Sequence, residues 1–122
     1  MNKHQTKGIQ LTTTDAAWIA GLFEGEAAFS FMKTGHPRIT LQMTDLDIVQ
    51  RVADIFNVNV CKRNKSKGRE HHKTLYAVAI CKARIICDAC TQILPFMGKR
   101  RSGKIIEILE YLKQKNITPT FV

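Results

Sequence analysis

Two carboxylates, Glu24 and Glu26, stand two residues apart at the end of the stretch WIAGLFEGEAAF, residues 18–29. The stretch begins as a helix, yet Ala20, Gly21 and Gly25 put almost nothing where a helix usually packs. A helix C-terminus already carries partial negative charge, so acids placed there are unfavourable unless a cation offsets them. A divalent ion with oxygen ligands, Mg²⁺, Mn²⁺ or Ca²⁺, is one such cation. Beside a phosphodiester it lowers the pKa of water and stabilises the leaving oxygen. The plainer alternative is that both glutamates simply end a helix on the surface. Late in the chain KRRSGK (residues 99–104) gathers four cations within six residues, which suits a phosphate.

The charge as a whole points the same way. The chain of 122 residues has a net charge of +9, and its distribution is uneven. Residues 1–60 carry five Lys/Arg against six Asp/Glu, whereas residues 61–122 carry fourteen against four. A basic half of this density fits a polyanion, with nucleic acid ahead of a membrane surface. The opening MNKHQTKGIQ has no apolar core of a signal peptide, and no apolar run is long enough to span a bilayer. A reducing, cytoplasm-like compartment follows as the expectation: a bacterium, a phage-infected cell or an organelle matrix, without secretion. Cys61, Cys81, Cys87 and Cys90 are then free thiols. Cys87 and Cys90 have CxxC spacing but fall in a helical pattern without a second pair, and read as small buried apolar residues rather than metal ligands.

These residues need elements to position them. Residues 1–14 read as a flexible leader, 15–115 as a single domain and 116–122 as a tail. TTTD starts a first helix, capped by Thr14 or Asp15 and running from about Ala16 to Glu24. Phe29 and Phe31, then Ile39, Leu41 and Met43, alternate with polar neighbours around the turn signal TGHP, which predicts a hairpin. A second helix follows, capped by Asp45 or Asp47, with Ile48, Val52, Ile55 and Phe56 facing inward. NVNVCKR and KTLYAVAIC form a second hairpin around the basic loop NKSKGREHH. ARIICDACTQILPF is a third helix that stops near Pro95. A fourth presents Ile105, Ile106, Ile108, Leu109 and Leu112. The predicted class is α+β with the order α-β-β-α-β-β-α-α, a four-stranded antiparallel sheet with helices on one face. Alternation leaves Ser30, Thr34, Arg38, Thr40, Gln42 and Thr44 on the open face, where such side chains can address base edges. Exposed sheet threonines also arise from β-propensity alone. Gly21 and Gly25 lie on one helix face beside Trp18 and Leu22, so another backbone can come close. That backbone is either another helix of this chain or the same helix of a second copy.

IAGLFEGEA, Ile19 to Ala27, resembles the signature of the LAGLIDADG homing endonucleases. The element order resembles that family's core over nearly all of residues 15–114. The small residues fall at the helix-packing positions, Glu26 at the penultimate acidic position, and PF…KRR…K where the family carries a basic residue near its active site. With one motif copy, the resemblance implies a homodimer through Trp18, Gly21, Leu22 and Gly25. It implies a saddle over the DNA major groove, and cleavage of both strands of a long pseudo-palindrome to leave 3′ overhangs. Glu26, with the Gly25 carbonyl, would hold Mg²⁺. Mn²⁺ or Ca²⁺ would fit the same site, Ca²⁺ without cleavage. Asp45 would help organise the attacking water, and Lys99 and Arg100 would stabilise charge at the scissile phosphate. The DNA surface would comprise the open-face residues above with Met32, Lys62, Arg63, Lys65, Lys67, Arg69 and Lys73. Two positions depart from the pattern: Ala27 replaces a glycine, which would strain a turn of positive φ, and Asp45 is acidic where Gln is frequent. Two alternatives use the same fold, an intron maturase that acts on RNA and a DNA-binding regulator that does not cut. An RNA-associated domain is a third. The open face lacks the aromatics that stack single-stranded bases.

Overall fold

A computed structural model describes residues 7–63 and 74–120. The chain alternates as predicted: α1 (Thr13–Glu26), β1 (Ala27–Phe31), β2 (Pro37–Met43), α2 (Leu46–Phe56), β3 (Cys61–Arg63), β4 (Leu75–Ile80), α3 (Ala83–Ile93) and α4 (Lys99–Gln114). A 3₁₀ turn, Leu94–Phe96, joins α3 to α4 around Pro95. The strands form one antiparallel sheet in the order β1-β2-β4-β3. Its inward residues Ala27, Phe29, Ile39, Leu41, Val78 and Ile80 form one core with Ile19, Phe23, Val52, Ile86, Ile105 and Ile108 of the helices. Phe23 sits at the centre of an aromatic group, with its ring 6.1 Å from Phe29 and 6.2 Å from Phe56.

Several boundaries differ from the sequence reading. The first helix begins earlier, because Thr12 rather than Thr14 or Asp15 is its cap: the Thr12 hydroxyl accepts the Asp15 N–H at 3.0 Å. It also continues through Glu26, and Ala27 enters β1 directly at φ −90°, ψ 155°. The helix-to-strand junction therefore asks for no positive φ, and Ala27 is unstrained where a glycine would stand in the motif. Gly35, at φ +90°, is the residue that supplies a left-handed conformation, in the β1–β2 turn. Asp45 is the N-cap of α2 by position only; its side chain makes no capping bond. Val49 and Ala53 replace Ile48 and Ile55 at the fully buried positions of that helix, and Ile106 of α4 faces outward.

The described part of the N-terminal segment bonds to α3. The Ile9 N–H donates to Asp88 Oδ2 at 2.8 Å, the Leu11 N–H donates to Gln92 Oε1 at 2.7 Å, and Gln92 returns a bond to the Ile9 carbonyl. From the other end, the Thr120 N–H donates to Asp88 Oδ1 at 2.8 Å and its hydroxyl to Oδ2. Asp88, fully buried in α3, thus holds both terminal segments. Its donors come from 79 and 32 residues away. Cys87 and Cys90 are buried in the same helix, and burial pushes the Cys90 thiol up to about 12. Burial, with the Asp88 charge second, raises Cys87 too. Both are thiols at neutral pH.

Candidate active site

The acidic end of α1 and the basic start of α4 are fastened to each other. Glu24 Oε1 accepts the Gly98 N–H at 2.7 Å, and Arg101 Nε donates to the Glu24 backbone carbonyl at 3.1 Å. The arrangement pairs opposite ends of two helix dipoles: the Glu24 carbonyl near the end of α1 meets a cation of α4, and the Glu24 carboxylate meets the N-cap N–H of α4. The Glu24 carboxylate is therefore engaged within the chain. A Cβ at position 98 would come within 3.3 Å of that carboxylate, so glycine keeps the approach short.

Glu26, two residues on, is the last residue of α1 and is exposed. Among the described residues no basic side chain pairs with it. On α4, Arg100, Arg101 and Lys104 surround a hollow of about 350 Å³ that Phe29 also lines. Lys104 also lies 5.5 Å from the Phe31 ring centre and pairs with Glu107 at 3.2 Å. The sequence reading chose Lys99 and Arg100 from this cluster and missed Arg101 and Lys104. The spacing 100, 101, 104 on a helix would have pointed to them, since residues three and four apart share a face. Lys99 is exposed in the first turn of α4. Asp45 is exposed just past β2, its carboxylate unused by the helix it precedes.

A divalent cation fits this end of α1 only in part. Among the described residues, no three His, Cys, Asp or Glu side chains converge. Near Glu26 one chain offers a free carboxylate and last-turn carbonyls such as that of Gly25; Glu24 is taken by Gly98. Further oxygens would come from phosphate, water and a second Glu26.

The four residues predicted to pair helices divide. Gly21 and Gly25 are exposed, and a Cβ added to either would meet nothing within 4 Å, so no described helix of this chain covers them. Trp18 and Leu22 are half-buried against their own core, and Arg51 of α2 stacks 3.9 Å from the Trp18 ring while pairing with Asp15. On the sheet, Arg38 and Gln42 of β2 are exposed and Thr40 is half-exposed between them. Ser30 pairs in register with Arg38. Met32 and Thr34 belong to the β1–β2 turn, where the Met32 N–H donates to the His36 carbonyl at 2.7 Å. Thr44 follows β2 and is exposed, as are Lys62 and Arg63 of β3. Lys65, Lys67, Arg69 and Lys73 lie outside the described residues.

The chain superposes on the homing endonuclease I-CvuI, in complex with the I-CreI target, with a TM-score of 0.60 at 12% identity, over 82% of this chain and 66% of that one. It superposes on the group I intron-encoded homing endonuclease I-CeuI, complexed with DNA, with a TM-score of 0.57 at 16% identity, over 88% of this chain and 58% of that one. The fold is that of the LAGLIDADG homing endonucleases. No protein-family model matches the sequence, and no curated protein does. The chain spans about two thirds of I-CvuI and 58% of I-CeuI.

Proposed function

We propose that this protein is a site-specific endonuclease of double-stranded DNA, dependent on a divalent metal and active as a homodimer that leaves 3′ overhangs. The observation that carries the reading is the fastening of α1, which ends on the exposed Glu26, to the basic start of α4, where Arg100, Arg101 and Lys104 line a hollow, in a homing-endonuclease fold. Glu26 would hold Mg²⁺ together with backbone and phosphate oxygens. When bound, the metal supplies a more acidic water and charge for the leaving oxygen. Arg100, with Lys99 beside it, draws the scissile phosphate in and offsets charge as it develops. Asp45, free of a capping role, is available to a water. The open, small-residue face of α1 supports the homodimer, since a second copy of α1 fits there and brings a second Glu26.

The experiment is cleavage of a random duplex pool, followed by sequencing of the new ends, with and without Mg²⁺. Ends that need Mg²⁺ and centre on a near-palindrome support the reading. Retention of one duplex motif without cutting replaces it with the regulator, and binding of structured RNA alone replaces it with the maturase.

Two further results are expected. Gly21→Val should weaken dimerisation roughly 5- to 150-fold, the effect of about 1–3 kcal/mol of overpacking, measured by sedimentation. The monomer should melt no lower, because the new side chain meets nothing in its own chain. An unchanged dimer constant would count against the α1 interface. Replacing Lys65, Lys67 and Arg69 together by Gln should lower the slope of log K against log salt by up to about 3. The preferred sequence should stay the same, and an unchanged slope would remove that loop from the phosphate contacts.

A further inference from the structure

The register of the sheet singles out two side chains on its outer face. Thr40 pairs with Ala28 on one side and Ala79 on the other; Gln42 pairs with Ala77. Arg38 pairs with Ser30. The central strand β2 therefore carries its polar row between alanine and serine neighbours too short to reach outward. Among the described residues, Arg38 and Gln42 are the long hydrogen-bonding side chains on the outer face of β1, β2 and β4. Neither bonds to another described residue, so their donors and acceptors are free for a ligand. Arginine matches the O6 and N7 acceptors of guanine, and glutamine matches the N6 donor and N7 acceptor of adenine.

The register also fixes their order. Ala27 pairs with Leu41, so Glu26 lies in line with Gln42, whereas Arg38 sits four residues farther along β2. Four residues of strand span about 13 Å, against about 3.4 Å per base pair, which is roughly three to four base pairs along the groove. Resting on the duplex-DNA reading above, we infer that each half-site carries an adenine read by Gln42 and, three to four base pairs farther from the cut, a guanine read by Arg38.

The test is enrichment of a random duplex pool on the full chain in EDTA, so that binding is read without cutting. Wild type should select the adenine and the guanine at that spacing. Arg38→Gln should change only the outer guanine to adenine, and Gln42→Arg only the inner adenine to guanine, each by roughly tenfold or more. Both side chains are exposed, so thermal melts should stay at the wild-type value. A wild-type motif that neither variant alters, that changes at the opposite positions, or that changes at another spacing overturns the inference and leaves the DNA reading intact. A wild type that enriches no duplex sequence overturns both.

Discussion

Glu26→Gln is expected to reduce cleavage roughly 10³-fold or more while leaving affinity for the target within a few-fold. The substitution preserves shape and removes one charge. Because the residue is exposed at the last position of α1, the fold has little to lose. The estimate follows from what removal of a single charge-stabilising group costs at a reacting centre. Glu24 cannot take over, since its carboxylate already accepts the Gly98 N–H at 2.7 Å and lies on the α4 side of the junction. Glu24→Gln is therefore the informative partner. Its amide oxygen can still accept from Gly98, so cleavage should fall far less than for Glu26→Gln. Rates on the selected site, measured together with binding in EDTA, separate the two variants. Equal cleavage by wild type and Glu26→Gln would remove Glu26 from the chemistry. Equal losses for the two glutamates would mean that the α1–α4 junction matters as a whole and that neither acid has a separate role.

The elements were legible because their signals are local. Phe29, Ile39 and Leu41 alternate with polar residues, and the sheet buries that set. The α1 motif was legible from Gly21 and Gly25, whose lack of side chains has no local purpose and whose face no described residue covers. What the sequence hid depends on contacts between distant segments. TTTD offers several competent caps, and only packing selects Thr12. Glu24 and Glu26 look equivalent in the chain; they become different once Gly98, 74 residues away, takes one of them. Ile105 and Ile106 are equally apolar, yet α4 turns one inward and the other to solvent. Asp88 was the furthest from reach. In ICDAC it resembles a polar residue on a helix surface, and its partners stand near the two ends of the chain.

That buried carboxylate should be the most sensitive single position for stability. Asp88→Ala is expected to cost about 3 kcal/mol, because it removes a carboxylate that accepts from the Ile9 and Thr120 N–H groups and the Thr120 hydroxyl and leaves a gap at a fully buried side chain. For a domain of this size that corresponds to a fall in Tm of roughly 10 °C. Gly8 offers an independent handle on the same joint: a Cβ there would clash with Asp88 Oδ2 and Thr120 Oγ1. Gly8→Ala must therefore push the N-terminal segment off α3. If both substitutions act by releasing the termini, the double variant should lose less than the two single losses together, since residues that share a network do not add. Urea melts of the four proteins would measure this coupling. Additive losses would mean that Gly8 and Asp88 stabilise separate parts of the chain. A melt unchanged by Asp88→Ala would mean that the termini are held by Gln92 and by the packing of Ile9, Leu11 and Ile117 against the core.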